Sequence, residues 1–168
     1  PLRLPHPLRE SGPSVTKLLL TLHVLAAILA VGPVAVAASM FGPAARRAAE
    51  SPDDVRARST VGLLHRICRV YAGVGIAVPV LGLATAGVMG VMGDAWVIAS
   101  LVLTMLAAAA LIVFVLPGQE RLVEGGGGGG EGVAAATGRL AMTTGIFNVL
   151  WVAVTVLMIV RPGSTTGA

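Results

Sequence analysis

At 168 residues the chain is long enough for one domain, and 55% hydrophobic against 12% charged residues sets it well apart from a soluble globular mix. Its mean hydropathy is +0.88, and its net charge of +4 comes from basic residues that flank apolar runs, so lipid headgroups rather than nucleic acid account for them. The single cysteine, Cys68, excludes an intrachain disulfide and a cysteine-based metal cluster.

Residues 1–14 carry four prolines and mixed charge and read as an irregular tail, with His6 in solvent and Ser14 as a cap for the first helix. Leu18–Met40 then runs without a formal charge for 23 residues, about 35 Å as a helix and enough to cross a bilayer. It is too long for the apolar core of a secretory signal and lacks a convincing cleavage site. His23, Ala26, Ala27, Ala30, Val34, Ala37 and Ala38 share one face of this helix. Small side chains at that spacing let another helix approach, so His23 is expected to face protein. Pro33 removes the hydrogen bond to the Leu29 carbonyl and predicts a kink.

Residues 42–60 read as a polar connection ending in a helix start, with Ser51 as cap, Pro52 in the first position and Asp53 and Asp54 behind it. A continuous helix is predicted from about Pro52 to about Val91, its span at 70–92 carrying a small-residue stripe of Gly75, Pro79, Gly82, Ala86 and Gly90. Asp94 sits in a short turn that makes the second and third spans an antiparallel hairpin, and Trp96 is placed like an interfacial anchor. The third span, 96–116, is expected to stop at Pro117-Gly118. Residues 118–139, with Gly125–Gly130 in their middle, read as a flexible linker; no Gly-Lys-Ser/Thr follows, so this is no phosphate loop. The fourth span, 140–160, is closed by Arg161-Pro162-Gly163.

The fold expected is therefore all-α: one domain, 1–168, with four transmembrane helices in an antiparallel bundle. Eleven of the twelve basic residues are arginine and Ala, Gly and Val abound, a bias read as GC-rich bacterial coding. The two long connections hold Arg46, Arg47, Arg56, Arg58, Arg121 and Arg139, with Arg66 and Arg69 close by. The positive-inside rule puts them in the cytoplasm of a bacterial cell and both termini outside its plasma membrane.

His23 is the one ionisable residue deep in a span, which makes it the candidate ligand or proton-relay group. The alternative is a neutral imidazole hydrogen-bonded to a hydroxyl or carbonyl of a neighbouring helix. Counting 1.5 Å per residue from the terminal side, His23, Thr85, Ser100 and Thr155 all lie about 7–9 Å deep. With Asn148, the lone amide within a span, they form an expected intramembrane polar network, His23 bonding at least one of the three hydroxyls. His65 lies very roughly 25–30 Å from that level, too far for one haem to join it to His23. It is assigned with Arg66 and Arg69 to a basic patch at the headgroups. Cys68, beside those arginines, is a lone thiol. No Ser/His/acid set, paired intramembrane carboxylates or C-x-x-C-H haem attachment is present, so no catalysis is expected.

The stretch LLLTLHVLAAILAVGPVAVAASMFGPAARRA, with the basic start and Gly-rich body of the second span, resembles uncharacterised four-helix bacterial membrane proteins. That group is similar to the copper-resistance D type and to the small haem-binding membrane proteins of protoporphyrinogen oxidation. The resemblance implies four spans and helix-borne histidines that serve a cofactor, a role only His23 is deep enough to fill. Two functions follow. The first is a non-catalytic accessory or structural subunit of a larger bacterial membrane complex, such as a respiratory one. Its partners would be the lipid bilayer and other integral membrane subunits, met through the smooth Leu/Val/Ile faces of the third and fourth spans. The alternative is a membrane protein that binds haem b or copper through His23.

Overall fold

Four helical rods, each long and apolar enough to cross a membrane, build an all-α, multi-pass fold in this computed structural model, which describes residues 12–125 and 130–163. No strand occurs among the described residues. The first rod, α1 (Gly12–Glu50), has 39 residues and is about 58 Å long, well beyond the ~30 Å of a hydrocarbon core. Ser14 lies inside α1 and does not cap it. The helix also continues past the predicted span, through both Pro33 and Pro43, so the expected connection at 42–60 shrinks to 51–54. The alanines of residues 44–49 are strong helix formers, and Phe41 and Ala45 are buried in the core, which offsets the hydrogen bond lost at Pro43.

The second rod begins three residues later than its sequence signal. Ser51-Pro52-Asp53-Asp54 is a turn closed by Asp54 N–H to the Ser51 carbonyl at 3.0 Å, which suits Pro52 in its second position. Asp54, not Ser51, caps α2 (Val55–Val74): its carboxylate accepts the N–H groups of Arg56 at 2.8 Å and Ala57 at 3.2 Å. Asp54→Ala is expected to cost about 1 kcal/mol, read as a lowered midpoint of unfolding in detergent. The continuous helix predicted to Val91 is interrupted at Gly75-Ile76, after which α3 (Ala77–Met89) resumes. Pro79 is the cause. It has no N–H for the Gly75 carbonyl, which accepts Val78 N–H at 3.1 Å instead and tightens the turn.

Pro117 does not end the third rod either. α4 (Ala95–Ala109) passes into a π-helical segment (Ala110–Val115) and then into α5 (Leu116–Val123). Within it Leu116 N–H reaches back five residues to the Leu111 carbonyl. That shift puts Pro117 in the first turn of α5, where a missing N–H costs nothing. The last rod, α6 (Gly130–Val160), starts ten residues before the predicted span. Val133 and Thr137 are buried there, and Thr137 accepts Arg46 Nε–H of α1 at 2.9 Å. Helix thus takes both flanks of the expected linker at 118–139, while residues 126–129 lie outside the described residues.

α1 packs against α2, α3 and α6, and α6 packs against α4 and the π-helical segment. α2 also meets α5, whereas α3 barely touches α4 although only five residues join them. The bundle is therefore closed at the end where α2 meets α5, around Phe41, Cys68, Leu111, Val115 and Phe147. It splays at the other end, where α1 begins and α6 finishes.

Candidate functional site

The splay between α3 and α4 opens a groove of about 1370 Å³ whose walls come from α1, α3, α4 and α6. Its lining is mostly Leu, Val, Ile, Ala and Met, and the polar groups it includes are His23, Thr85, Thr104, Asn148, Thr155 and Arg161. His23 is only 7% exposed. Its Nδ1–H donates to the Val78 carbonyl of α3 at 2.9 Å, a bond that fixes the ring and leaves Nε2 without a partner among the described residues. When the ring is neutral, Nε2 therefore carries the lone pair. Metal-binding histidines are commonly oriented by this kind of contact from the second nitrogen. The Cε1 corner of the ring abuts Gly82, where a β-carbon would come to 2.9 Å from Cε1. Only glycine leaves room for the imidazole to reach its carbonyl.

The polar network read from depth alone is corrected in its bonds. None of the three hydroxyls joins His23. Thr85 donates to Leu81 O at 2.7 Å and Thr155 to Trp151 O at 2.8 Å, each to its own helix one turn back. This is the usual local solution for threonine inside a helix. Ser100 is buried with its hydroxyl unpaired and stands outside the groove wall. Asn148 lines the groove half-buried and makes no interhelical hydrogen bond among the described residues. Four of the five predicted residues do meet at one groove, but as its wall and not as a bonded set.

The mouth of the groove is built from two elements that the sequence treats separately. Trp96, expected as an interfacial anchor, is 9% exposed and donates its indole N–H to Asp94 Oδ2 at 3.0 Å. The guanidinium of Arg161, just past α6, lies 5.5 Å from the centre of the Trp96 ring. Cation and ring together tie the start of α4 to the end of α6.

His65 is found at the closed end, far along α2 from the groove, and it leaves the predicted basic patch. It is half-buried, and its Nδ1–H donates to Gln119 Oε1 at 3.2 Å. Gln119 is fully buried and gives an amide N–H to the Cys68 sulfur at 3.5 Å. Cys68 therefore faces α5, not the arginines beside it in sequence, while Arg66 and Arg69 are exposed. Gln119 escapes a sequence reading because Pro117-Gly118 argues for a loop there. Gln119→Leu keeps the volume but strips His65 of its acceptor. It is expected to cost about 1–3 kcal/mol, measured by unfolding in detergent.

Chemically, the groove offers one oriented imidazole nitrogen, an unpaired amide, two thioethers (Met89 and Met158) and one cation. No group of three or more His, Cys, Asp or Glu suited to a metal ion occurs among the described residues. Comparison with protein-family models, with curated proteins and with solved structures gives no match to this chain.

Proposed function

We propose that this chain is a non-catalytic, membrane-embedded binding protein that holds a haem-type ligand in the groove through His23 Nε2. The observation that carries the reading is the seat of His23, with Nδ1–H on the Val78 carbonyl, Cε1 against Gly82 and the other nitrogen free at the groove wall. Haem brings four nitrogen donors of its own, so one imidazole is a sufficient protein ligand. Copper would need a donor set built by the protein, and the described residues offer no cluster of three His, Cys, Asp or Glu. The volume of about 1370 Å³ exceeds the ~300–1,000 Å³ usual for small-molecule pockets, and an apolar wall suits a large flat ring. When bound, haem would supply one-electron chemistry, with the protein supplying the axial ligand and an apolar surround.

The test is a titration of the purified full chain in mild detergent with iron protoporphyrin IX. A saturable Soret shift that His23→Ala removes is expected. A wild-type protein that gives no shift overturns the reading.

A second reading, an accessory subunit of a larger membrane complex, is supported by one outer face. Val102, Met105, Leu106, Ile112, Val113 and Phe114 of α4 and the π-helical segment are all more than half exposed. π-Helical turns are frequent at functional places. Co-purification of a defined membrane partner, lost on Phe114→Ser, is the expected outcome; recovery as a lone monomer in mild detergent counts against it. For either reading we place the chain in a bacterial plasma membrane with its connections cytoplasmic, on the strength of Arg46, Arg47, Arg56 and Arg58 around the first of them.

A further inference from the structure

Arg161 is the one residue other than glycine with positive φ among the described residues, at 44°. That left-handed conformation costs a residue with a β-carbon roughly 1–2 kcal/mol, and helices usually place glycine at this position. Arginine is there nonetheless, and its contacts are specific. Nε–H donates to the Met158 carbonyl at 3.3 Å, and the guanidinium carbon lies 5.5 Å from the centre of the Trp96 ring. Trp96 is itself held by Asp94. The side chain is half-buried in the groove wall and forms no ion pair among the described residues. The result is a cation held at the mouth of an apolar groove, with its terminal nitrogens unengaged among the described residues.

We propose that Arg161 is the anion-recognition residue of the groove, taking the carboxylate edge of a ligand whose apolar body lies against His23. A planar fork of N–H donors matches a carboxylate two bonds at a time, and the contact with Trp96 and the Nε bond to the Met158 carbonyl reduce the entropy that a free arginine would lose. The mouth lies six residues beyond Thr155, about 9 Å further along α6, toward the headgroups. An acid group there stays near water while the ring it belongs to is buried. Arg161 thus sets which way round an amphiphilic ligand enters. This inference rests on the haem-type reading above, and it concerns the acid groups of that ligand.

The experiment uses the full chain in nanodiscs of zwitterionic lipid and three probes: iron protoporphyrin IX, its dimethyl ester, and metal-free protoporphyrin IX. Binding is followed by absorbance and by quenching of Trp96 and Trp151, both of which line the groove. Arg161→Gln and Arg161→Gly are expected to weaken both free-acid probes about tenfold while leaving the ester unchanged, and Arg161→Lys to fall between. Arg161→Gly relieves the backbone strain, so its unchanged or raised melting temperature separates lost recognition from lost folding. His23→Ala is expected to weaken the iron probe and spare the metal-free one. Equal loss for acid and ester in Arg161→Gln, or no loss for either, overturns the carboxylate assignment while leaving His23 ligation standing. Arg161-dependent binding of metal-free porphyrin without iron ligation keeps the assignment and removes the His23 reading. Abolition of acid-probe binding when phosphatidylglycerol is added, reversed in Arg161→Gln, transfers the site to a lipid phosphate and overturns the proposal. If no probe binds, both fall.

Discussion

Gly82→Ala is expected to lower the affinity for iron porphyrin at least tenfold, and Gly82→Val to abolish the Soret shift. The new β-carbon would stand 2.9 Å from His23 Cε1, closer than carbon atoms pack. The ring must swing off α3, and the 2.9 Å bond from Nδ1–H to the Val78 carbonyl goes with it. An imidazole without that bond samples both tautomers and several rotamers, so the fraction with Nε2 at the groove wall drops. The helix itself gains from the change, since alanine is favoured over glycine in a helix interior by about 1 kcal/mol. Far-ultraviolet circular dichroism should therefore stay as in the wild type while ligand binding falls. Full binding by Gly82→Val would show that the ring is not held where its partners indicate.

The largest loss of stability is expected for Phe41→Ala. Phe41 is 1% exposed, on the face of α1 that includes Ala37, Ala38 and Ala45, in the same core cluster as Leu64, Cys68 and Val115. In a bilayer the apolar ring gains little by leaving lipid for protein, so the transfer contribution that dominates in water is largely absent. What remains is the cavity. A void on the order of 100 Å³ at about 24 cal/mol per Å³ comes to roughly 2 kcal/mol. Phe41→Leu, closer in volume, is expected to cost under about 1.5 kcal/mol. Val113→Ala, at a residue 58% exposed on the outer face, is expected to change stability by less than about 0.5 kcal/mol. Unfolding by SDS titration from mild detergent reads all three. A loss at Val113 equal to that at Phe41 would mean that the outer face, not this core, carries the packing.

Composition settles the number of spans in this chain, and periodicity the inward face of the first. Runs of about twenty apolar residues have only one way to satisfy their backbone in lipid, so span number follows from composition. The small residues beside His23 on α1 follow from periodicity, and all of them are buried or half-buried. The end of α6 at Val160, before Arg161-Pro162-Gly163, is legible, whereas several other helix ends are not, because packing overrides the local breaker from which each is argued. Pro43 is passed where Phe41 and Ala45 are buried, and Pro117 is absorbed by a π-helical turn that moves it to a first-turn position. Ser51 gives way to Asp54 because Pro52 is better used in a tight turn.

At the site, depth counting puts His23, Thr85, Ser100 and Thr155 on one level, since rise per residue is fixed, and of these His23, Thr85 and Thr155 line the groove while Ser100 does not. It could not pair them, since helix rotation decides which groups face each other. Tertiary structure alone gives His23 a backbone carbonyl on α3, sets glycine against its Cε1, and joins His65 to a buried glutamine on α5. The groove itself belongs to no segment. It exists because α3 and α4, five residues apart in the chain, are each drawn to other helices, α3 to α1 and α4 to α6. Arg161 and Trp96, 65 positions apart, meet only because that splay is tied at its rim.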